Sequence, residues 1–217
     1  MAFSFPLAIT VLSDILRIES VTWDVQRSDE LDGSGDGRTW QIELAPPLWM
    51  ADVKLTLAYH ADAKKVAAIV RKLQGAQHSF LLVDPLSPYP ASDPDGSILG
   101  SSTVQVNSIG SDRQSLSLKG LPASFVLTPG DKGQITYSSS PSRNYYFEVS
   151  EAITANGSGV TAAFEVFPAV PTAIAANAAV TLKKPACKGF IVPGSFNPGS
   201  AANVITSGAA FKFMERR

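Results

Sequence analysis

Apolar and polar residues alternate with a period of two in run after run of this chain, and that pattern restricts the fold more than any other feature. Trp23-Asp24-Val25-Gln26-Arg27, Trp40-Gln41-Ile42-Glu43-Leu44 and Val53-Lys54-Leu55-Thr56-Leu57-Ala58-Tyr59 all show it. Successive side chains of an extended strand point to opposite faces, so each run predicts a strand with one buried and one wet face. Between the first two runs, Ser28-Asp29-Glu30-Leu31-Asp32-Gly33-Ser34-Gly35-Asp36-Gly37 is a cluster of turn formers and predicts a long, mobile hairpin tip.

One segment changes period. Val66, Ile69, Val70 and Leu73 recur at spacings of three and four, which makes one apolar stripe of a helix. Lys64, Lys65, Arg71 and Lys72 take the other face, Asp62 is placed to cap the first turn, and Gly75 stands at the expected C-terminal stop. Phe80-Leu81-Leu82-Val83 then predicts a short buried strand.

Residues 84–96 hold four prolines, at 85, 88, 90 and 94. Proline lacks an amide donor and disfavours helix in its predecessor, so this stretch reads as the domain boundary. Beyond it, Thr103-Val104-Gln105-Val106, Ser115-Leu116-Ser117-Leu118, Tyr145-Tyr146-Phe147-Glu148-Val149, Ala163-Phe164-Glu165-Val166 and Ala179-Val180-Thr181-Leu182 are short strands between turn-rich pieces. Such spacing predicts a small barrel. The last 30 or so residues carry two or three more strands, too few for a core of their own. The expected fold class is therefore mainly β: a split β-barrel or sandwich with one packed α-helix, made by residues 1–94 with 186–217, and an inserted small all-β barrel-like domain over 97–185.

Composition narrows the function. The net charge is -1 and only 17% of residues are charged, so no global field recruits nucleic acid or an anionic surface. No run approaches the roughly 20 apolar residues of a membrane span, and residues 1–12 lack the basic start of a secretory signal. A soluble protein made in the cytoplasm is expected.

Candidate chemistry is sparse. Asp29, Glu30, Asp32 and Asp36 lack the spacing of a calcium loop and read as a solvated tip. Gly130-Asp131-Lys132-Gly133 lacks the ending of a phosphate loop and a following helix, and reads as a β-turn. Cys187 is the single cysteine and carries no nucleophile signature around it, so a half-buried structural thiol is expected. His60 and His78 have no second histidine at i+4, which leaves them as surface or edge residues. Gly194-Ser195-Phe196 is not a nucleophile elbow. Tyr145, Tyr146 and Phe147 lack the basic surround of a base-stacking platform and read as core or interface. Asp93 and Asp95 lie in the proline-rich stretch, where loose carboxylates cannot hold catalytic geometry. No catalytic, metal-binding or cofactor-binding residue is assigned, and no enzyme activity is expected.

The order of these pieces carries a resemblance. Alternating strands, a glycine-acidic hairpin, an amphipathic helix with a following glycine and Phe80-Leu81-Leu82-Val83-Asp84-Pro85 look like the tail-tube-related half-barrel of phage distal tail proteins. The middle part resembles a module of that family through Gly120-Leu121-Pro122, Leu127-Thr128-Pro129-Gly130-Asp131, Tyr146-Phe147-Glu148-Val149 and Thr154-Ala155-Asn156-Gly157-Ser158-Gly159. Phe167-Pro168 and Val180-Thr181-Leu182-Lys183-Lys184-Pro185 complete the run. The resemblance implies a virion structural protein, assembled in the bacterial host cytoplasm, that forms a hexameric ring at the distal end of a long tail or a gene-transfer-agent tail. Its implied partners are further copies of itself, the tail tube protein, and hub or fibre proteins, with neither sequence-specific nucleic acid nor membrane insertion. Under it, the residue 28–37 hairpin reaches a neighbouring subunit. Two alternatives stand beside it: another tail component, such as a hub or tube terminator, and a carbohydrate-binding module that uses Trp23, Trp40, Trp49 or the Tyr145-Tyr146 pair as stacking platforms.

Overall fold

The computed structural model describes residues 3–33, 35–138 and 141–217; Ser34 of the expected hairpin tip lies outside them. Strands make up 44% of the structure and helix 8%, with one α-helix, so the chain is mainly β as the period-two runs predict. In chain order the elements are β1 (Ile18–Gly33), β2 (Thr39–Leu55), β3 (Ala58–Tyr59), α1 (His60–Lys72), β4 (Phe80–Val83), β5 (Gln105–Ile109), β6 (Ser115–Lys119), β7 (Val126–Leu127), β8 (Lys132–Tyr137) and β9 (Arg143–Val149). There follow β10 (Ile153–Thr154), β11 (Phe164–Phe167), β12 (Val180–Thr181), β13 (Ala186–Ile191), β14 (Ser200–Ala202), β15 (Ile205–Ser207) and β16 (Ala210–Glu215).

The chain forms two compact units. The first, here the hairpin unit, holds residues 14–79 and 189–216; the second, the barrel unit, holds the described residues of 1–13 and 80–188, with Arg217. These limits differ from the expected 1–94, 97–185 and 186–217 division. The proline-rich stretch is no loose linker, because its polar groups are tied into the barrel unit. Asp84 and Asp93 are both 0% exposed. The Asp93 carboxylate accepts the N–H groups of Ile98 (3.0 Å) and Leu99 (2.9 Å). The Ala91 N–H donates to Asp131 (2.8 Å), and the Ser92 hydroxyl donates to the Val126 carbonyl. Proline removes backbone donors, but it does not prevent side chains and the remaining amides from anchoring an irregular segment.

In the hairpin unit, β1 and β2 pair antiparallel from Ile18↔Leu55 out to Gly33↔Thr39. Next to β2 lies β16, with Phe211↔Val53 and Phe213↔Ala51, and β16 pairs in turn with Gly189–Ile191 of β13. Trp49, Ala51, Val53 and Leu55 bury one face of β2, and Phe211 and Phe213 are also buried. A side chain at Gly189 would meet the Met214 carbonyl oxygen at 2.2 Å, so only glycine lets β13 come this close to β16.

α1 starts earlier than expected. Tyr59 occupies the N-cap position without a side-chain cap, and Asp62 lies in the first turn, 3.2 Å from Arg17. Ile69, Val70 and Leu73 are buried as the stripe predicts, whereas Val66 is half-buried and Ala67, outside the stripe, is buried. Gln74 and Gly75 adopt positive φ after the helix, and the His78 N–H returns to the Leu73 carbonyl, which ends the helix near the expected glycine. A small sheet, β14-β15-β3, runs alongside in the same unit.

The barrel unit has a main sheet, ordered β12-β8-β9-β11-β6-β5, which curls until it is nearly closed, and a two-stranded sheet, β10-β7. The gap is bridged by Val180 N–H to Val104 O and Val106 N–H to Ala178 O, each 2.9 Å. Leu116, Leu118, Ile135, Tyr145, Phe147 and Phe164 fill its interior. Closure removes the exposed edges that an open sheet would present.

Candidate interaction surface

Pro46 and Pro47 divide the β1–β2 hairpin. Gln26 pairs with Leu48 but Ser28 pairs with Ala45, so the register slips where two residues lack amide donors. On one side of this break β2 alternates buried and exposed residues; on the other, every residue from Thr39 to Pro46 is exposed. The distal part, residues 28–45, is an arm with no buried face of its own. The alternation of Trp40, Ile42 and Leu44 predicts a strand correctly but not the burial of that face: these side chains are 63%, 61% and 66% exposed.

Residues two apart on a strand share a face. Trp40, Ile42 and Leu44 thus form one apolar stripe, and across it Asp32 pairs with Trp40 and Glu30 with Ile42. The opposite face is a polar network. Arg27 Nε lies 2.6 Å from Asp29 and its Nη2 3.7 Å from Glu43, while the Gln41 amide also donates to Asp29. The hydrogen bond to Arg27 holds the Asp29 carboxyl below the usual aspartate range, and Asp29 raises Arg27. The charged groups of this face pair with one another beside an exposed Leu31, whereas the other face offers three large apolar side chains to water. Exposed contiguous apolar surface rimmed by charge is the mark of an interaction site.

The other candidates resolve into structural roles. Asp29, Glu30, Asp32 and Asp36 gather no metal-type cluster among the described residues. Residues 128–131 form a turn, with Gly130 at φ +93° and Asp131 N–H bonded to Thr128 O, whereas Lys132 and Gly133 already belong to β8 rather than to the expected turn. Within it, Asp131 is buried and accepts the Thr128 N–H (2.8 Å). Lys132 Nζ sits 2.8 Å from the buried Asp84 and 3.5 Å from the more exposed Glu148 in an ion-pair cluster. No local pattern signals this cluster, because its members are 48 and 16 residues apart. Cys187 is fully buried rather than half-buried. Tyr145, Tyr146 and Phe147 are at most 1% exposed, so none is a stacking platform. Tyr145 stacks on Phe147 in the core and donates to the Pro168 carbonyl. Burial, and then the charge of Asp84, push the Tyr146 hydroxyl well above its ordinary value.

His60 bridges the Thr206 hydroxyl and the Asn203 carbonyl, each at 2.8 Å, and so fastens the start of α1. The Ser195 hydroxyl donates to the Val192 carbonyl in a loop. Among the tryptophans, Trp49 is buried, Trp23 is half-buried against Phe213 at 5.8 Å, and Trp40 is exposed. No protein-family model matches the chain, and no curated protein matches it in sequence, so this surface is read from its own chemistry.

Proposed function

We propose that this protein is a structural subunit that assembles into a ring at the distal end of a phage-type tail, joining the tail tube to hub or receptor-binding proteins. The observation that carries the reading is the arm: a two-stranded projection whose apolar stripe has no intrachain use. An exposed face of this kind is retained for contact with another chain. The resemblance in the order of sequence motifs supplies the setting, and the reading assigns the protein no catalytic step. A carbohydrate-binding role is weaker, since Trp40 is the sole tryptophan left as an open stacking platform and its neighbours Ile42 and Leu44 offer no hydrogen bonds.

Native mass and negative-stain imaging of the purified protein test this. Closed rings are expected from the wild type. The triple variant Trp40→Ser, Ile42→Ser, Leu44→Ser should lose them while each change alters stability by no more than about 0.5 kcal/mol, as for ordinary surface sites. A wild type that stays monomeric at high concentration, or rings unchanged by the triple substitution, would sink the reading.

A further inference from the structure

The hairpin unit carries a second surface, beside α1. There a groove of about 290 Å³ is lined by Leu55, Val66, Phe196 and Pro198, with two acidic side chains, Asp14 and Asp62, balanced by two basic ones, Arg17 and Lys65. This is at the lower end of the roughly 300–1,000 Å³ typical of ligand pockets, a size for a few side chains rather than a cofactor. A shallower depression next to it is lined by Lys64 and Arg71.

Charge distinguishes the two ends of the hairpin. Residues 28–45 contain five acidic side chains (Asp29, Glu30, Asp32, Asp36, Glu43) and one basic, Arg38, a net of -4. The α1 segment contains four basic side chains (Lys64, Lys65, Arg71, Lys72) and one acidic, Asp62, a net of +3. The groove itself is charge-balanced, and the basic excess comes from Lys64 and Arg71 of the adjoining depression and from Lys72, opposite in sign to the arm. Complementary charge of this kind steers encounter and sets register.

The two surfaces cannot meet within one chain. Ile42 and Leu55 lie on the same strand, thirteen residues apart, which at the rise of a strand is roughly 40 Å. A β-hairpin paired along that length does not fold back on itself.

We propose that the acidic, apolar arm docks in the groove beside α1 of a second copy of this chain, with its carboxylates against the basic side chains on the exposed face of that helix. The proposal rests on the self-assembly reading and names the surface that receives the arm. Because donor and acceptor surfaces differ, the contact is head-to-tail, and such contacts propagate into rings or filaments rather than stopping at a dimer.

Two charge reversals test it in the full-length protein: Glu30→Lys with Asp32→Lys on the arm, and Lys64→Glu with Lys65→Glu on α1. All four residues are exposed, so folding is expected to be retained, as circular dichroism would verify. In sedimentation velocity, each variant alone should lose self-association. An equimolar mixture should regain it, because each then meets a partner of opposite sign. Wild-type association should weaken as salt rises. If the α1 reversal associates like wild type while Trp40→Ser does not, the arm docks elsewhere; the groove assignment falls and the assembly reading stands. A wild type that remains monomeric, or that binds only a separate basic protein, overturns docking onto a second copy.

Discussion

Replacing Asp93 with alanine should destabilise the barrel unit by about 3–5 kcal/mol, although the residue lies in a segment that the proline pattern marks as a linker. Its side chain is 0% exposed, and its two carboxylate oxygens accept the N–H groups of Ile98 and Leu99 at 3.0 and 2.9 Å. Hydrogen bonds to a charged group contribute about 1.5–3 kcal/mol each, and a buried donor left without an acceptor costs about 1–3 kcal/mol. The second figure describes the same loss rather than an addition to it, so two bonds come to about 3–6 kcal/mol; they share one turn, their losses overlap, and about 3–5 kcal/mol applies. Leu99, the second donor, is 2% exposed and belongs to the barrel core, so loosening this turn also loosens a core side chain. Asparagine keeps one acceptor oxygen and should cost about half as much. Urea unfolding of wild type, Asp93→Ala and Asp93→Asn reads the order directly, provided the denaturant slope is unchanged. A loss below about 0.5 kcal/mol for Asp93→Ala, the level of an ordinary surface change, would refute the anchoring argument and return residues 84–96 to the status of a linker.

Lys132→Met should lower the midpoint of chemical unfolding, with a cost of about 3–5 kcal/mol, because it strands the buried Asp84 carboxylate 2.8 Å from where the ammonium stood; a silent substitution would show that this pair contributes nothing. The polar face of the arm should respond to acid. Asp29 titrates below its ordinary value when folded, so its contribution is fully present above the ordinary aspartate value of about 3.9 and is lost as pH falls through the lower folded value. The side-chain amide resonances of Gln41, which donates to Asp29, should shift in that acid window and not above it, and a shift centred at neutral pH would contradict the assignment.

Local pattern made much of the fold readable. Period-two alternation marks parts of β1 and β2, spacings of three and four mark α1, and glycine with asparagine marks the turns, because each follows from the geometry of one element. The same locality explains what stayed hidden. Trp40-Gln41-Ile42-Glu43-Leu44 is a faultless half-buried strand by pattern, yet it has no sheet or helix over its apolar face. The alternation reports which side chains share a face; whether anything covers that face is decided by other parts of the chain, or by another chain. Asp62 shows the reverse error, since a good capping residue was drawn into the first turn and onto Arg17 once Tyr59 took the cap position.

The candidate surface therefore divides cleanly between the two levels. By itself the sequence determined that strands lie in residues 23–27, 40–44 and 53–59, that the arm is acidic and α1 basic, and that no recognised constellation for nucleophilic or metal chemistry is spelled out in order. Only the tertiary structure decided that β1 continues through residues 28–33, which read as a turn-rich tip, that the apolar stripe of Trp40, Ile42 and Leu44 is exposed, that the proline-rich stretch is anchored by Asp93, and that Lys132 joins buried Asp84 to the more exposed Glu148. The reason is physical: periodicity and charge are properties of neighbouring residues, whereas burial and long-range pairing depend on which distant segments arrive at the same place.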